Sequence, residues 1–268
     1  MNNQNKIRTA SNSPSQYTGG ITIKSAQELE AMSKAGAVVG ATLTLLKKSV
    51  TPGMTTKDLD NIAIGEITRL GAKPAFLGYQ GFPASICTSV NEEIVHGIPG
   101  NRKLKEGDIV KVDCGATVDG FIGDAAVSIP VGEVSKEASD LMDATRESLN
   151  IGIQAAIPGN RIGDIGSAIQ KYAENLGYGV VREFVGHGIG RFLHEDPQVP
   201  NYGESGKGQL LRTGMCIAIE PMLNLGGWET KILDDQWTVV TKDGSLSSHF
   251  EHTLAITEDG PRVFTTNA

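Results

Sequence analysis

Apolar positions recur at helical spacing in four segments and alternate with small or polar residues in the stretches between them. Leu59, Ile62, Ala63, Ile67 and Leu70 make one stripe, and Ile165, Ile169, Tyr172 and Leu176 make another. Each stripe predicts an amphipathic helix closed by a glycine, Gly71 or Gly177. Two more helices are predicted ahead of these, from Ser25 to about Lys48 and from Ser135 to about Ala156. The first opens on the capping pattern Ser25-Ala26-Gln27-Glu28. A Pro-Gly turn follows the leading helix in both places, at Pro52-Gly53 and Pro158-Gly159.

These segments are copies of one another. An offset of 106 residues carries Pro52 onto Pro158, Asp58 onto Asp164, Leu59 onto Ile165 and Gly71 onto Gly177. The strand pattern "LKEGDIVKVD" from Leu104 repeats as "LRTGMCIAIE" from Leu211 at an offset of 107, which places Asp113 on Glu220. "DAAVSI" from Asp124 and "EHTLAI" from Glu251 share a face pattern, an acid and two small residues on one side and apolar residues on the other. Residues Lys111 to Ile129 read as two strands reversed at Asp119-Gly120. The pattern predicts an α+β fold in two duplicated halves, about 25–130 and 131–260, forming one domain over 21–268. Residues 1–20, "MNNQNKIRTASNSPSQYTGG", are expected to be a disordered tail.

Strands disfavour acids, and a buried unpaired carboxylate is costly. Asp113, Asp124, Glu220 and Glu251 nevertheless occupy duplicated strand positions. If the halves pack about a pseudo-two-fold axis, the four carboxylates converge, and their repulsion calls for protons or cations. A pair of divalent cations would neutralise them.

The histidines fall near these acids. "FVGHGIGRFLHEDP" holds His187 and His194, with Gly186, Gly188 and Gly190 giving a backbone room to approach a bound group. "NEEIVHGIPG" holds His96 in a Gly/Pro loop. His249 and His252 are assigned no role, the alternation turning His252 away from the acid face. Carboxylates with imidazole suit Mn, Fe, Co, Zn or Ni better than a thiolate site would, and the reaction class they predict is metal-assisted hydrolysis.

Composition narrows the partners. With 24 basic and 31 acidic residues the net charge is -7, and no Lys/Arg cluster tracks a phosphate backbone, so no nucleic-acid partner is expected. Cys87, Cys114 and Cys216 are far apart and odd in number, which points to a reducing cytoplasm. No stretch is expected to span a membrane, and the first twenty residues lack the apolar core of a signal peptide.

In order, "HGIP", "KVDCGATVDGFIGDAAVSI", "VGHGIGRFLHEDP", "IEPM" and "FEHTLAIT" resemble the type I methionine aminopeptidases, in their bacterial form, over about residues 21–265. The resemblance implies the pita-bread (creatinase/aminopeptidase) fold, a central antiparallel β-sheet flanked by helices. It implies that Asp113, Asp124, His187, Glu220 and Glu251 hold two divalent metal ions, with Asp124 and Glu251 bridging. Glu220 would also shuttle protons, His194 would hydrogen-bond the scissile carbonyl, and His96 would position the substrate.

A methionine pocket maps onto Tyr79, Phe82, Cys87 and Trp237. Phe76 stands where a cysteine can occur in bacterial members, and Leu193 where an aromatic is common. The implied substrates are nascent polypeptide N-termini with a small second residue, met by a cytoplasmic monomer that touches the ribosome transiently if at all. An Xaa-Pro aminopeptidase or prolidase shares the catalytic half but carries a further N-terminal domain. A non-catalytic binding protein on this fold would have lost metal ligands.

Overall fold

The computed structural model describes residues 19–266, so most of the expected tail lies outside the described residues. The first half runs α1 (Ala26–Ser49), α2 (Thr56–Arg69), β1 (Lys73–Pro74), β2 (Ile86–Val90), β3 (Glu93–Val95), β4 (Ile109–Val118) and β5 (Phe121–Pro130). The second runs α3 (Lys136–Ala155), α4 (Ile162–Asn175), β6 (Gly179–Val180), β7 (Gly186–Gly188), β8 (Glu195–Val199), β9 (Cys216–Ile219) and β10 (Met222–Asn224). It closes with β11 (Thr230–Ile232), β12 (Val239–Thr241), β13 (Ser247–His249), β14 (His252–Thr257) and β15 (Gly260–Val263).

The duplication is visible in hydrogen bonds. Gly53 N donates to Leu104 O and Leu104 N to Met54 O, both at 2.8 Å; Gly159 N donates to Leu211 O at 3.1 Å and Leu211 N to Asn160 O at 2.8 Å. Each Pro-Gly turn is thus tied to the loop that leads into β4 in the first half and β9 in the second. Helix starts follow the sequence closely. Ser25 caps α1 in a reciprocal box with Glu28, and Thr55 does the same for α2 with Asp58. Gly71 and Gly177 close the second helices at φ 76° and 86°. The predicted stripe of α4 ends early: Leu176 is the C-cap and is 54% exposed.

All named strand pairs are antiparallel. In one half β4 pairs with β5, β2 and β1, and in the other β9 lies between β14 and β7. The β4–β5 reversal occurs at Asp119-Gly120, with φ 51° and 77°, and Val118 opposite Phe121. Positive φ at both turn residues is what a two-residue hairpin requires.

The halves meet where β5 runs antiparallel beside residues 249–253. Glu251 N donates to Ala126 O at 2.9 Å and Ala126 N to Glu251 O at 3.4 Å. On either side a hydroxyl replaces the backbone bond. Thr253 Oγ1 accepts from Asp124 N at 3.0 Å and donates to Asp124 O at 2.7 Å. Ser128 Oγ accepts from His249 N at 3.0 Å and donates to His249 O at 2.9 Å. This seam brings the two acids Asp124 and Glu251 together. One hydrophobic cluster backs it from both halves, including Val39, Leu43, Leu59, Ile67, Val112 and Val127 from the first and Leu149, Ile165, Ile169, Ile217, Ile219 and Leu254 from the second.

The expectation that no stretch could span a membrane needs correcting at α1. That helix is 24 residues long and contains an 18-residue stretch of mean hydropathy 1.2, enough to cross one by length and composition. Here its apolar side, Met32, Ala35, Val39, Leu43 and Leu46, is buried within the protein, against β4 and β5. A core helix of a mixed fold needs that much apolar surface, so hydropathy alone does not separate the two uses.

Candidate metal centre and active site

Four acids and an imidazole converge at the seam. Asp113 and Asp124 face the same way because Asp113 sits opposite Ala126 and Gly115 opposite Asp124 in the β4–β5 ladder, which makes the two acids diagonal neighbours. Glu220 and Glu251 differ from the expected strand positions: each lies one residue outside, Glu220 after β9 and Glu251 before β14. Pro221 follows Glu220 and has no N–H for a ladder, and the Glu220 carbonyl instead accepts from Asn201 Nδ2 at 3.0 Å.

His187 lies on β7. Its Nδ1 lies 2.9 Å from the Gly188 carbonyl, which can only accept, so Nδ1 carries the proton and Nε2 presents a lone pair. Nε2 is 3.7 Å from Glu220 Oε1 and 3.9 Å from Asp124 Oδ2. The glycines around His187 have a different purpose from the one expected. A side chain at Gly186 or Gly188 would run into the backbone carbonyls of Ala218 and Asp196, so these positions let neighbouring strands close up rather than admit a ligand.

The donor set fits divalent metal ions. Asp124, His187 and Glu251 each offer one ligand atom within 4.8 Å of the others. Asp113 Oδ1, Asp124 Oδ1 and Glu251 Oε1 are buried with no hydrogen-bond partner among the described residues. Carboxylate oxygens left bare in this way are costly unless a cation or proton meets them. Burial, reinforced by the neighbouring acids, pushes Asp124, Glu220 and Glu251 well above the usual carboxylate range. Burial also raises Asp113, to about 7. His187 goes the other way, lowered by burial to about 3, and so is neutral and ready to ligate.

These shifts set a pH dependence in the metal-free protein. The folded state holds carboxylate protons that the unfolded chain releases near pH 4, so this stability is present below that pH and lost as pH rises through the raised values. The depressed histidines His96, His187 and His249 work oppositely, but only below about pH 6.5, where the unfolded imidazole protonates. Between about pH 6.5 and 8 the one opposing group is Lys111, lowered by burial to about 7, which adds stability as pH rises; the four raised carboxylates outnumber it. Urea unfolding of chelated protein is expected to show stability falling over that range, by up to about 1.4 kcal/mol per pH unit for each proton held only when folded. Saturating Mn²⁺ should abolish the fall; a flat profile without metal would contradict the buried-acid description.

Above the acids opens a cavity of about 160 Å³ whose walls include Phe76, Tyr79, Phe82, Cys87, His96, Leu193, His194 and Trp237. Every residue expected in the site therefore lines one space. Phe82 and Trp237 meet edge to face, with centroids 5.1 Å apart. Cys87 is directly opposite Asp113 in the β2–β4 ladder, and burial raises its thiol pKa, so it presents a neutral soft surface. His194 stands at the rim with Nδ1 2.7 Å from Tyr79 Oη and its ring 4.3 Å from that of His187. His96 adopts φ 61°, a conformation rare outside glycine, and its ring meets Phe184 and Trp237 edge to face. Burial, then His194, lowers its pKa to about 4.

Sequence reasoning passed over His249. It is 1% exposed, its Nε2 is 3.8 Å from Glu220 Oε2, and neither ring nitrogen has a hydrogen-bond partner among the described residues. The signal was present, since strand alternation puts residue 249 on the same face as Glu251.

Four acids and an imidazole under an apolar cavity, on a duplicated α+β frame, are a donor set that fits a metallopeptidase. The chain belongs to metallopeptidase family M24, whose model matches residues 30–258. Within that family it groups with the methionine aminopeptidases. It is 53% identical over 246 residues to a methionine aminopeptidase of Clostridium acetobutylicum, covering 91% of this chain and 98% of that one. The crystal structure of methionine aminopeptidase from Rickettsia prowazekii superposes with a TM-score of 0.91 at 43% identity, covering 92% of this chain and all of the other. A prolidase from Pyrococcus furiosus shares the fold, with a TM-score of 0.74 at 23% identity, but this chain spans 66% of its length.

Proposed function

We infer that this protein removes the N-terminal methionine from polypeptides by metal-dependent hydrolysis. The observation that carries this is the convergence of four acids and His187 directly beneath an apolar cavity walled by Phe82, Cys87 and Trp237. Such walls suit a thioether. Asp113, Asp124, His187, Glu220 and Glu251 would hold two divalent ions, and the donors suit Mn, Fe, Co, Zn or Ni. When bound, such ions supply Lewis acidity, polarising a carbonyl and making water a nucleophile at neutral pH.

The protein's own groups then have distinct tasks. Tyr79, Phe82, Cys87 and Trp237 hold the methionine side chain and fix the scissile bond over the acids. Glu220 takes a proton from the attacking water and returns it to the leaving nitrogen. His194 donates to the carbonyl oxygen as negative charge grows there, and His96 orients the peptide nitrogen. The second residue of the substrate sits at the mouth beside His96, His194 and Tyr79, where a small side chain clears the rings. Residues 21–268 act as one catalytic unit, a monomer that meets nascent chains in the cytoplasm, with at most a transient ribosome contact.

A peptide series tests this assignment. With Mn²⁺ or Co²⁺ and detection by mass spectrometry, Met-Ala-Ser and Met-Ser-Ala peptides are expected to lose one methionine, while Leu-Ala-Ser and Met-Leu-Ser turn over at least about tenfold more slowly, the scale of one poorly fitted side chain. Equal turnover of Met- and Leu-initiated peptides would contradict the methionine pocket.

A further inference from the structure

Residues 22–24, ahead of α1, reach across to the loop that carries His194. Lys24 Nζ forms an ion pair with Glu195 Oε2 at 2.7 Å, and the side chains are only 5% and 3% exposed. Thr22 Oγ1 donates to the same oxygen at 2.8 Å, and Lys24 Nζ also contacts Thr22 Oγ1. The other carboxylate oxygen, Oε1, turns back under the loop and accepts from Arg191 N at 2.9 Å and Phe192 N at 3.2 Å. Both Glu195 oxygens are therefore occupied, one by the strap and one by the loop.

The loop is fixed at its other side as well. Gly190 O accepts from Ile122 N at 2.8 Å, two residues before Asp124. A Cβ at Gly190 would lie 2.6 Å from Lys24 Cε and 2.7 Å from Glu195 Oε1, so the glycine makes room for the pair. Lys24 itself is anchored by its backbone, with Lys24 N donating to Gly214 O at 2.8 Å. His194 immediately precedes Glu195, so the bonds that anchor Glu195 lie one residue from the imidazole at the rim.

We propose that Lys24 and Glu195 are positioning residues for His194, a buried ion pair that fixes the 191–194 loop so that the imidazole meets the developing oxyanion. Neither residue reaches the cavity, and both act only through the loop. Replacing a buried ion pair by neutral groups of similar shape is often nearly neutral for stability, whereas removing one partner strands a charge. The pair can therefore be altered without losing the fold, and the effect should appear in turnover rather than in binding, because the carbonyl oxygen gains its charge only in the transition state.

The inference rests on His194 acting on the carbonyl, and a double-mutant cycle separates the two ideas. Glu195→Asp keeps the charge but draws the carboxylate back from the Arg191 and Phe192 amides. Lys24→Met with Glu195→Gln removes both charges together. Each is expected to lower kcat on Met-Ala-Ser about tenfold with KM changed less than twofold, and to speed amide hydrogen exchange at Arg191 and Phe192. In a His194→Ala background the same changes should alter kcat less than twofold. An equal loss in both backgrounds, or no loss in either, would overturn the positioning role. Full activity of His194→Ala alone would instead overturn the role of His194. If the double variant fails to fold, Glu195→Asp decides the matter by the same cycle.

Discussion

Asp124→Asn is expected to lower kcat/KM for methionine release by at least about 10³-fold while leaving the fold in place. On the proposed assignment Asp124 would hold the metal, whose charge contributes several kcal/mol of transition-state stabilisation, and about 4 kcal/mol corresponds to that factor. The backbone at 124 does not depend on the carboxylate. Its N–H and C=O are both bound by Thr253 Oγ1, and Oδ1 has no partner among the described residues. The substitution is isosteric and removes one of four mutually repelling acids, so the chelated variant should be no less stable to urea than the chelated parent. Metal uptake followed by titration calorimetry should weaken in parallel with activity. An active Asp124→Asn variant with unchanged metal uptake would remove Asp124 from the ligand set.

His194→Ala should cost about 10²–10³ in kcat, the usual consequence of losing one donor to an oxyanion. Tyr79 Oη lies 2.7 Å from Nδ1 and accepts from Gln80 Nε2; a donor role for His194 toward the carbonyl requires the tautomer with its proton on Nε2, the one in which Nδ1 accepts the Tyr79 hydroxyl. Burial keeps the ring pKa below its ordinary value, so it is neutral at working pH and acts as a hydrogen-bond donor. Tyr79→Phe should therefore lose less, about tenfold, because the ring remains and only its tautomer is released. Steady-state kinetics on one peptide would check both, and a Tyr79→Phe loss larger than that of His194→Ala would reverse the order of importance.

Much of this centre is legible in the chain because the duplication exposes it. Asp113 gains meaning from Glu220, and Asp124 from Glu251, when neither acid of a pair would stand out alone. The helices are equally plain, since capping boxes and closing glycines are local chemistry. What the sequence hides is set by contacts between distant residues. Ser128 and Thr253 look like ordinary strand hydroxyls, yet they complete the seam through bonds to residues 121 and 129 positions away. Alternation places His249 on the face of Glu251, but its approach to Glu220 depends on how the strand ends cross, which the sequence does not carry. The glycines beside His187 were legible as a need for space, but only the packed strands show that backbone carbonyls take that space.

The most direct measurement mixes a Met-Ala-Ser peptide with an Ala-Pro-Ser peptide and follows both by mass spectrometry, using protein as purified, after chelation, and after Mn²⁺ is restored. The account predicts loss of methionine alone, abolished by the chelator and recovered with the metal. Cleavage of the Ala-Pro bond in place of the Met-Ala bond, or methionine release that survives full chelation, would contradict it.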